Sequence, residues 1–165
     1  MKPWTSGPRE LLEHAVDHFG KGSAFDYRIA FISIDNSDEL MLKTYLGLPK
    51  RIRNSDGPSR RTLSEASTSF PDLLDLLDEF GNDKLEGIEL EDIEWYHSIH
   101  NAVYRDGNGV TIDKEEVDSY LQISVILFNS LFDEAITTDN RVEHASVVGE
   151  IVLRSSDLEH ELNLL

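Results

Sequence analysis

The chain has 165 residues, 32 acidic against 15 basic side chains for a net charge of -17, and no cysteine. That length suits one domain with a sizeable core, and the missing thiol excludes a disulfide framework, a thiolate zinc centre and a cysteine nucleophile. The charge opposes long-range attraction to a polyanion, so any RNA contact has to be local.

The first residues, Met1-Lys-Pro-Trp-Thr-Ser-Gly-Pro8, hold no apolar run of signal-peptide type, and no stretch approaches the roughly 18 apolar residues of a membrane span. A soluble cytoplasmic protein is the expectation. Ser6-Gly-Pro8 suits a helix start, and Leu11, Leu12, Ala15, Val16 and Phe19 follow at helical spacing. From Asp26 to about Leu46 the chain is apolar on more than one side, which predicts a buried central helix. Asn36, Glu39 and Lys43 emerge on one face of it at i, i+3 and i+7, and polar groups there need partners. A Glu39–Lys43 pair at the rim of the core is the alternative to a functional role.

Gly47 and Pro49 end this helix, and a surface loop through Asn54-Ser-Asp-Gly-Pro58 is expected. Lys43, Lys50, Arg51, Arg53, Arg60 and Arg61 gather six of the fifteen bases here. They read either as a loop that touches phosphate or as a solvated linker. Helices are predicted again over Phe70–Phe80, closed by Gly81-Asn82, and from about Leu90 to Arg105, stopped by Asp106-Gly-Asn-Gly109. Ile112, Asp113, Glu116 and Val117 then fit a capping box with a hydrophobic staple. That helix should run to about Phe132, with Tyr120, Leu121, Val125, Ile126 or Leu127, Phe128 and Leu131 packed across the central one. No alternating strand pattern occurs in 1–136. The organisation expected is an all-α antiparallel bundle over 1–136 and a tail over 137–165 whose apolar run, Val147 to Leu153, suits strand or helix.

Two stretches carry a family resemblance. Asp35-Asn-Ser-Asp-Glu-Leu-Met-Leu-Lys43-Thr-Tyr-Leu46 and Glu91-Asp-Ile-Glu-Trp-Tyr-His-Ser-Ile-His-Asn-Ala-Val-Tyr-Arg-Asp-Gly-Asn-Gly-Val110 resemble the helix-two signature and the motif helix of the HEPN superfamily, over roughly residues 8–134. The resemblance implies a helical bundle acting as a homodimer whose sites meet at the interface. Many HEPN proteins are metal-independent ribonucleases of toxin-antitoxin or antiviral systems, and others are noncatalytic. Their active motif is an arginine, usually followed by a polar residue such as asparagine, with a histidine five to seven positions after the arginine. Asn101 matches, but His100 stands where arginine is expected and Arg105 where histidine is expected. The pair keeps its composition and changes its geometry, which leaves both a working and a lapsed site open.

In a working site, a histidine of near-neutral pKa takes the proton of a ribose 2'-hydroxyl or returns one to the leaving 5'-oxygen, and the guanidinium stabilises phosphoryl charge, leaving a cyclic phosphate. His100 and Arg105 are the candidate catalytic pair. Asn101, Tyr104 and His97 are candidates to orient it, with Asn36, Glu39 and Lys43 at the rim. Each has a plainer reading: His97 a surface histidine, Tyr104 a core ring, Asn101 a helix-end cap. No metal or other cofactor is expected, because His97 and His100 supply only two ligands and the remaining histidines are distant in sequence. No glycine-rich phosphate loop is present. Partners implied by the resemblance are a second copy, RNA, and an antitoxin or nucleotidyltransferase. The alternative is a noncatalytic dimerisation or adaptor module whose acidic surface meets a basic partner.

Overall fold

A computed structural model describes residues 1–106 and 110–136. The tail expected at 137–165 and the glycine turn at 107–109 lie outside the described residues. Among those described there are seven α-helices and no strand, so the all-α expectation holds. The helices are α1 (Ser6–Lys21), α2 (Ala24–Gly47), α3 (Lys50–Arg53), α4 (Arg60–Ala66), α5 (Phe70–Gly81), α6 (Leu90–Asp106) and α7 (Lys114–Phe132). None is long and apolar enough to cross a membrane.

Local chemistry sets the boundaries. The Ser23, Ser59 and Ser69 hydroxyls accept the amides of Asp26, Thr62 and Asp72 at the starts of α2, α4 and α5. The reciprocal box is present on α7: the Asp113 carboxylate accepts the Glu116 amide at 2.8 Å, and Glu116 accepts the Asp113 amide at 3.1 Å. Gly22, at φ 79°, closes α1 in a left-handed conformation that an L side chain rarely adopts. The start of α1 differs from the expectation. Pro3–Thr5 already form a 3-10 turn, so Ser6 lies inside the helix and its hydroxyl donates back to the Pro3 carbonyl instead of capping.

α2 is the hub, in contact with α1, α4, α5, α6 and α7. Its Phe31, Ile34, Met41 and Leu42 are fully buried against Leu12, Leu73, Leu77, Ile93, Tyr120 and Phe128. Leu40 and Ile126, both apolar, lie instead on the exposed surface. The stretch expected as loop holds two short helices, α3 and α4. Arg53 anchors the first of them. Its buried guanidinium sits 4.5 Å from the Tyr45 ring centroid and donates to the Phe80 carbonyl at 2.7 Å and the Leu46 carbonyl at 3.4 Å. It thereby satisfies the C-terminal ends of α5 and α2, where carbonyls and helix dipole favour a cation. Replacing Arg53 by Met is expected to cost about 2 kcal/mol, the scale of charged hydrogen bonds lost from buried carbonyls, as measured by urea unfolding.

Glu134 ties the two ends of the bundle. Its carboxylate accepts the Lys2 amide at 2.7 Å, the Thr5 hydroxyl at 3.0 Å and the Arg9 guanidinium at 2.9 Å. Burial pushes this carboxyl up, but the Arg9, Lys2 and Thr5 bonds prevail and lower it from 4.5 to about 2. A carboxyl whose folded pKa is depressed stabilises the fold above its unfolded value and stops doing so as pH falls through the folded one. The Tm difference between wild type and Glu134→Gln should therefore be full above about pH 5 and fade towards about pH 2, as followed by circular dichroism.

Candidate functional site

Two residues three apart on a helix share a face. On α6 that face carries His97 and His100, and it is turned towards α2. There both Nδ1 atoms approach one carboxylate, that of Asp35: His97 Nδ1 lies 3.0 and 3.1 Å from the two oxygens, and His100 Nδ1 lies 3.0 Å from Oδ2. The His97 contacts are hydrogen bonds. The His100 contact is equally short but lacks hydrogen-bond directionality, which leaves that buried nitrogen without a bonded partner.

Asp35 is almost completely buried, at 1% exposure, whereas the two imidazole side chains keep 16% and 13%. The Tyr120 hydroxyl, from α7, donates to Asp35 Oδ1 at 2.9 Å. Phe70, the first residue of α5, stacks flat on His97 at 3.9 Å between centroids and 9° between planes. Three helices thus meet at one carboxylate, and a fourth, α5, covers one of its imidazoles. Burial alone would push the Asp35 carboxyl up, but the contacts with His100 and His97 prevail and hold it below the usual value.

One turn further along α2, Asp38 has no exposure at all. Its Oδ2 accepts the Ser124 hydroxyl at 2.8 Å and its Oδ1 is unpartnered. Burial, reinforced by the charge of Asp35, raises its pKa well above the usual value. Burial, with the Asp38 and Asp35 carboxyls close by, raises the Tyr120 hydroxyl well above its usual value.

With Nδ1 of an imidazole turned to a fixed carboxylate, the ring is oriented and Nε2 becomes the free end. Neither Nε2 makes a hydrogen bond to another described residue. The two rings stand 6.0 Å apart between centroids. This arrangement presents two proton carriers side by side, held by one buried anion.

The structure brings together only part of the residue set chosen from sequence. Arg105 is exposed and forms no ion pair among the described residues. Five positions beyond His100, it stands roughly 140° further round α6, so the two do not converge within one chain. Tyr104 is 77% exposed, with its ring 6.1 Å from His100, and Asn101 is exposed. Neither is the core ring or helix-end cap of the plainer readings. Asn36 is exposed, while Glu39 and Lys43 pair with each other at the rim, and none of the three bonds to α6. In the basic segment Lys50 pairs with Asp56 and Arg61 with Glu65, and Arg53 is the structural clasp already described.

Asp35, Asp38, Tyr120, Ser124 and Phe70 escaped sequence reading. The signal available was two aspartates three residues apart in the middle of a helix otherwise too apolar to face water. Comparison with family models, curated proteins and solved structures gives no match to this chain.

Asp35 and Tyr120 are expected to be energetically coupled. In a double-mutant cycle of Asp35→Asn and Tyr120→Phe, the interaction energy should be about 1–2 kcal/mol by chemical denaturation. Additive losses would mean that the hydroxyl finds another acceptor.

Proposed function

We propose that this chain is a HEPN-like domain of RNA-processing or defence ancestry, acting as a metal-independent endoribonuclease through His97 and His100. The observation that carries the reading is the convergence of both imidazoles on the buried Asp35 carboxylate. In this mechanism one Nε2 takes the proton of a ribose 2'-hydroxyl as the 2'-oxygen attacks phosphorus. The bond from phosphorus to the 5'-oxygen breaks, and the other imidazole gives that oxygen a proton. The products are a 2',3'-cyclic phosphate and a 5'-hydroxyl. Asp35 orients both rings and offsets the positive charge that each acquires in turn. Arg105, exposed on a different face of α6, stabilises the phosphoryl oxygens from a neighbouring copy in a homodimer.

A purified sample with chelator present should cut single-stranded RNA and leave a cyclic phosphate end. His97→Ala and His100→Ala should each slow cutting by about 100-fold or more, the usual contribution of one acid or base, and Arg105→Ala should slow it with the fold intact by circular dichroism. Cleavage that survives both histidine changes, or that the chelator stops, would overturn the assignment.

A second reading, a noncatalytic adaptor, is favoured by the charge distribution. The net charge is -17, and Lys43, Lys50 and Arg61, three of the six clustered bases, are paired with acids of this chain. A groove of about 610 Å³ between α5 and the start of α6 is faced by Asp75, Asp78, Glu86, Glu89 and Glu94. Such a surface suits a basic protein partner and disfavours a long nucleic acid. Absence of any RNA cutting, together with salt-sensitive capture of a basic partner in place of RNA, would favour this adaptor.

A further inference from the structure

We propose that Asp35, His97 and His100 form a binding site for one divalent transition-metal ion of the zinc class, and that occupation of the site switches off the acid–base function assigned to the same histidines. The site itself rests only on geometry, and the switching rests on the reading given above.

The donors are two imidazole nitrogens and a carboxylate oxygen, all within 4.8 Å of one another. That set suits zinc, which takes His nitrogen at about 2.0–2.1 Å and carboxylate oxygen at about 2.0–2.2 Å and keeps a fourth position for water. Donors around such an ion lie about 3.4 Å apart in a tetrahedron. The Nδ1 to carboxylate separations here are 3.0 Å for both histidines. Those two separations need to open by only a few tenths of an ångström, and closing the imidazole nitrogens, which lie within 4.8 Å, onto a shared ion takes a rotation of two partly exposed rings.

Three further observations favour an ion over a bare hydrogen-bonded cluster. His100 Nδ1 is buried and 3.0 Å from the carboxylate, yet it makes no directed hydrogen bond. The carboxylate is already fixed from behind by the Tyr120 hydroxyl, as metal-binding carboxylates usually are. Phe70 fixes the plane of His97 by stacking, which lowers the entropy lost when the ring binds.

The switching follows from the valence of imidazole. A neutral ring has one lone pair. With its proton on Nδ1, towards Asp35, the lone pair lies on Nε2 and can accept a proton from substrate. With a metal on Nδ1 the proton must move to Nε2, and that ring is no longer a base. Metal binding and proton acceptance exclude each other at these two side chains.

Cobalt(II) and zinc chloride are the probes, added to metal-free full-length protein. One ion per chain is expected by calorimetry, with a visible cobalt spectrum of low-coordinate type that zinc displaces. His97→Ala and His100→Ala should each weaken binding at least tenfold, each folded by circular dichroism, while Asp35→Asn should weaken it with His97 and His100 unchanged. His14 and His18, whose rings meet at 4.6 Å near Asp26, are the internal control, and the pair of changes His14→Ala and His18→Ala should leave affinity unchanged. No binding in the wild type, or binding that survives both His97→Ala and His100→Ala, would overturn the site. In an RNA-cutting sample, zinc at one equivalent should stop cleavage and chelator should restore it; undiminished cutting by the loaded protein would overturn the switch. Metal binding in a protein that cuts no RNA would uphold the site and sink only the ribonuclease reading.

Discussion

A buried carboxylate is costly unless every neighbour helps to keep it charged, and Asp35 is the point on which α2, α6 and α7 agree. The Tyr120 hydroxyl and the His97 ring supply directed bonds, and His100 supplies proximity. The two imidazoles hold the Asp35 carboxyl below its usual value despite burial, whereas burial and the charge of Asp35 raise Asp38 well above it. Two identical side chains on one helix are therefore shifted in opposite directions, because one meets two imidazoles and the other only hydroxyls. This polar contact helps to fix the register of α6 against α2, since sliding either helix by one turn would strand the carboxylate. Specificity of this kind is a common use of buried polar groups.

The bundle surrounds that contact with an ordinary core. Phe31 packs on Tyr120 and Tyr96, and Tyr96 stacks on Tyr120 at 4.6 Å, so the donor of the hydrogen bond to Asp35 is held by aromatic contacts on its flank. Arg53 and Glu134 act further away, each satisfying several polar groups at a place where helices end. The proposed chemistry uses none of these directly, but it depends on a scaffold stiff enough to keep two rings within reach of one anion.

Much of this was legible in the residues alone, for identifiable reasons. The capping box at Asp113 and Glu116 and the apolar spacing in α1, α2, α5, α6 and α7 are local signals, so they specify local structure. The short helices α3 and α4 were not legible, because α3 is held by Arg53 reaching carbonyls seven and twenty-seven positions away and α4 by packing on α5 and α2. His97 and His100 were found because helical spacing puts them on one face. Asp35 was passed over in favour of Asn36, Glu39 and Lys43, which lie on the rim-facing side of the same helix. Nothing within α2 indicates that its partner is 62 residues distant, and only the tertiary fold closes that gap. The absence of metal was likewise inferred from counting two ligands on α6, and the third donor comes from another helix.

Phe70 gives the segment before it a significance that its composition hides. This ring is attached at the very start of α5, immediately after the Ser69 cap, and it covers one flat side of His97. The residues from the Arg53 clasp through α4 thus form a tether of set length between an anchor and a cover. Removing the Phe70 ring would bare that side of the imidazole to water while leaving both of its hydrogen bonds to Asp35 in place.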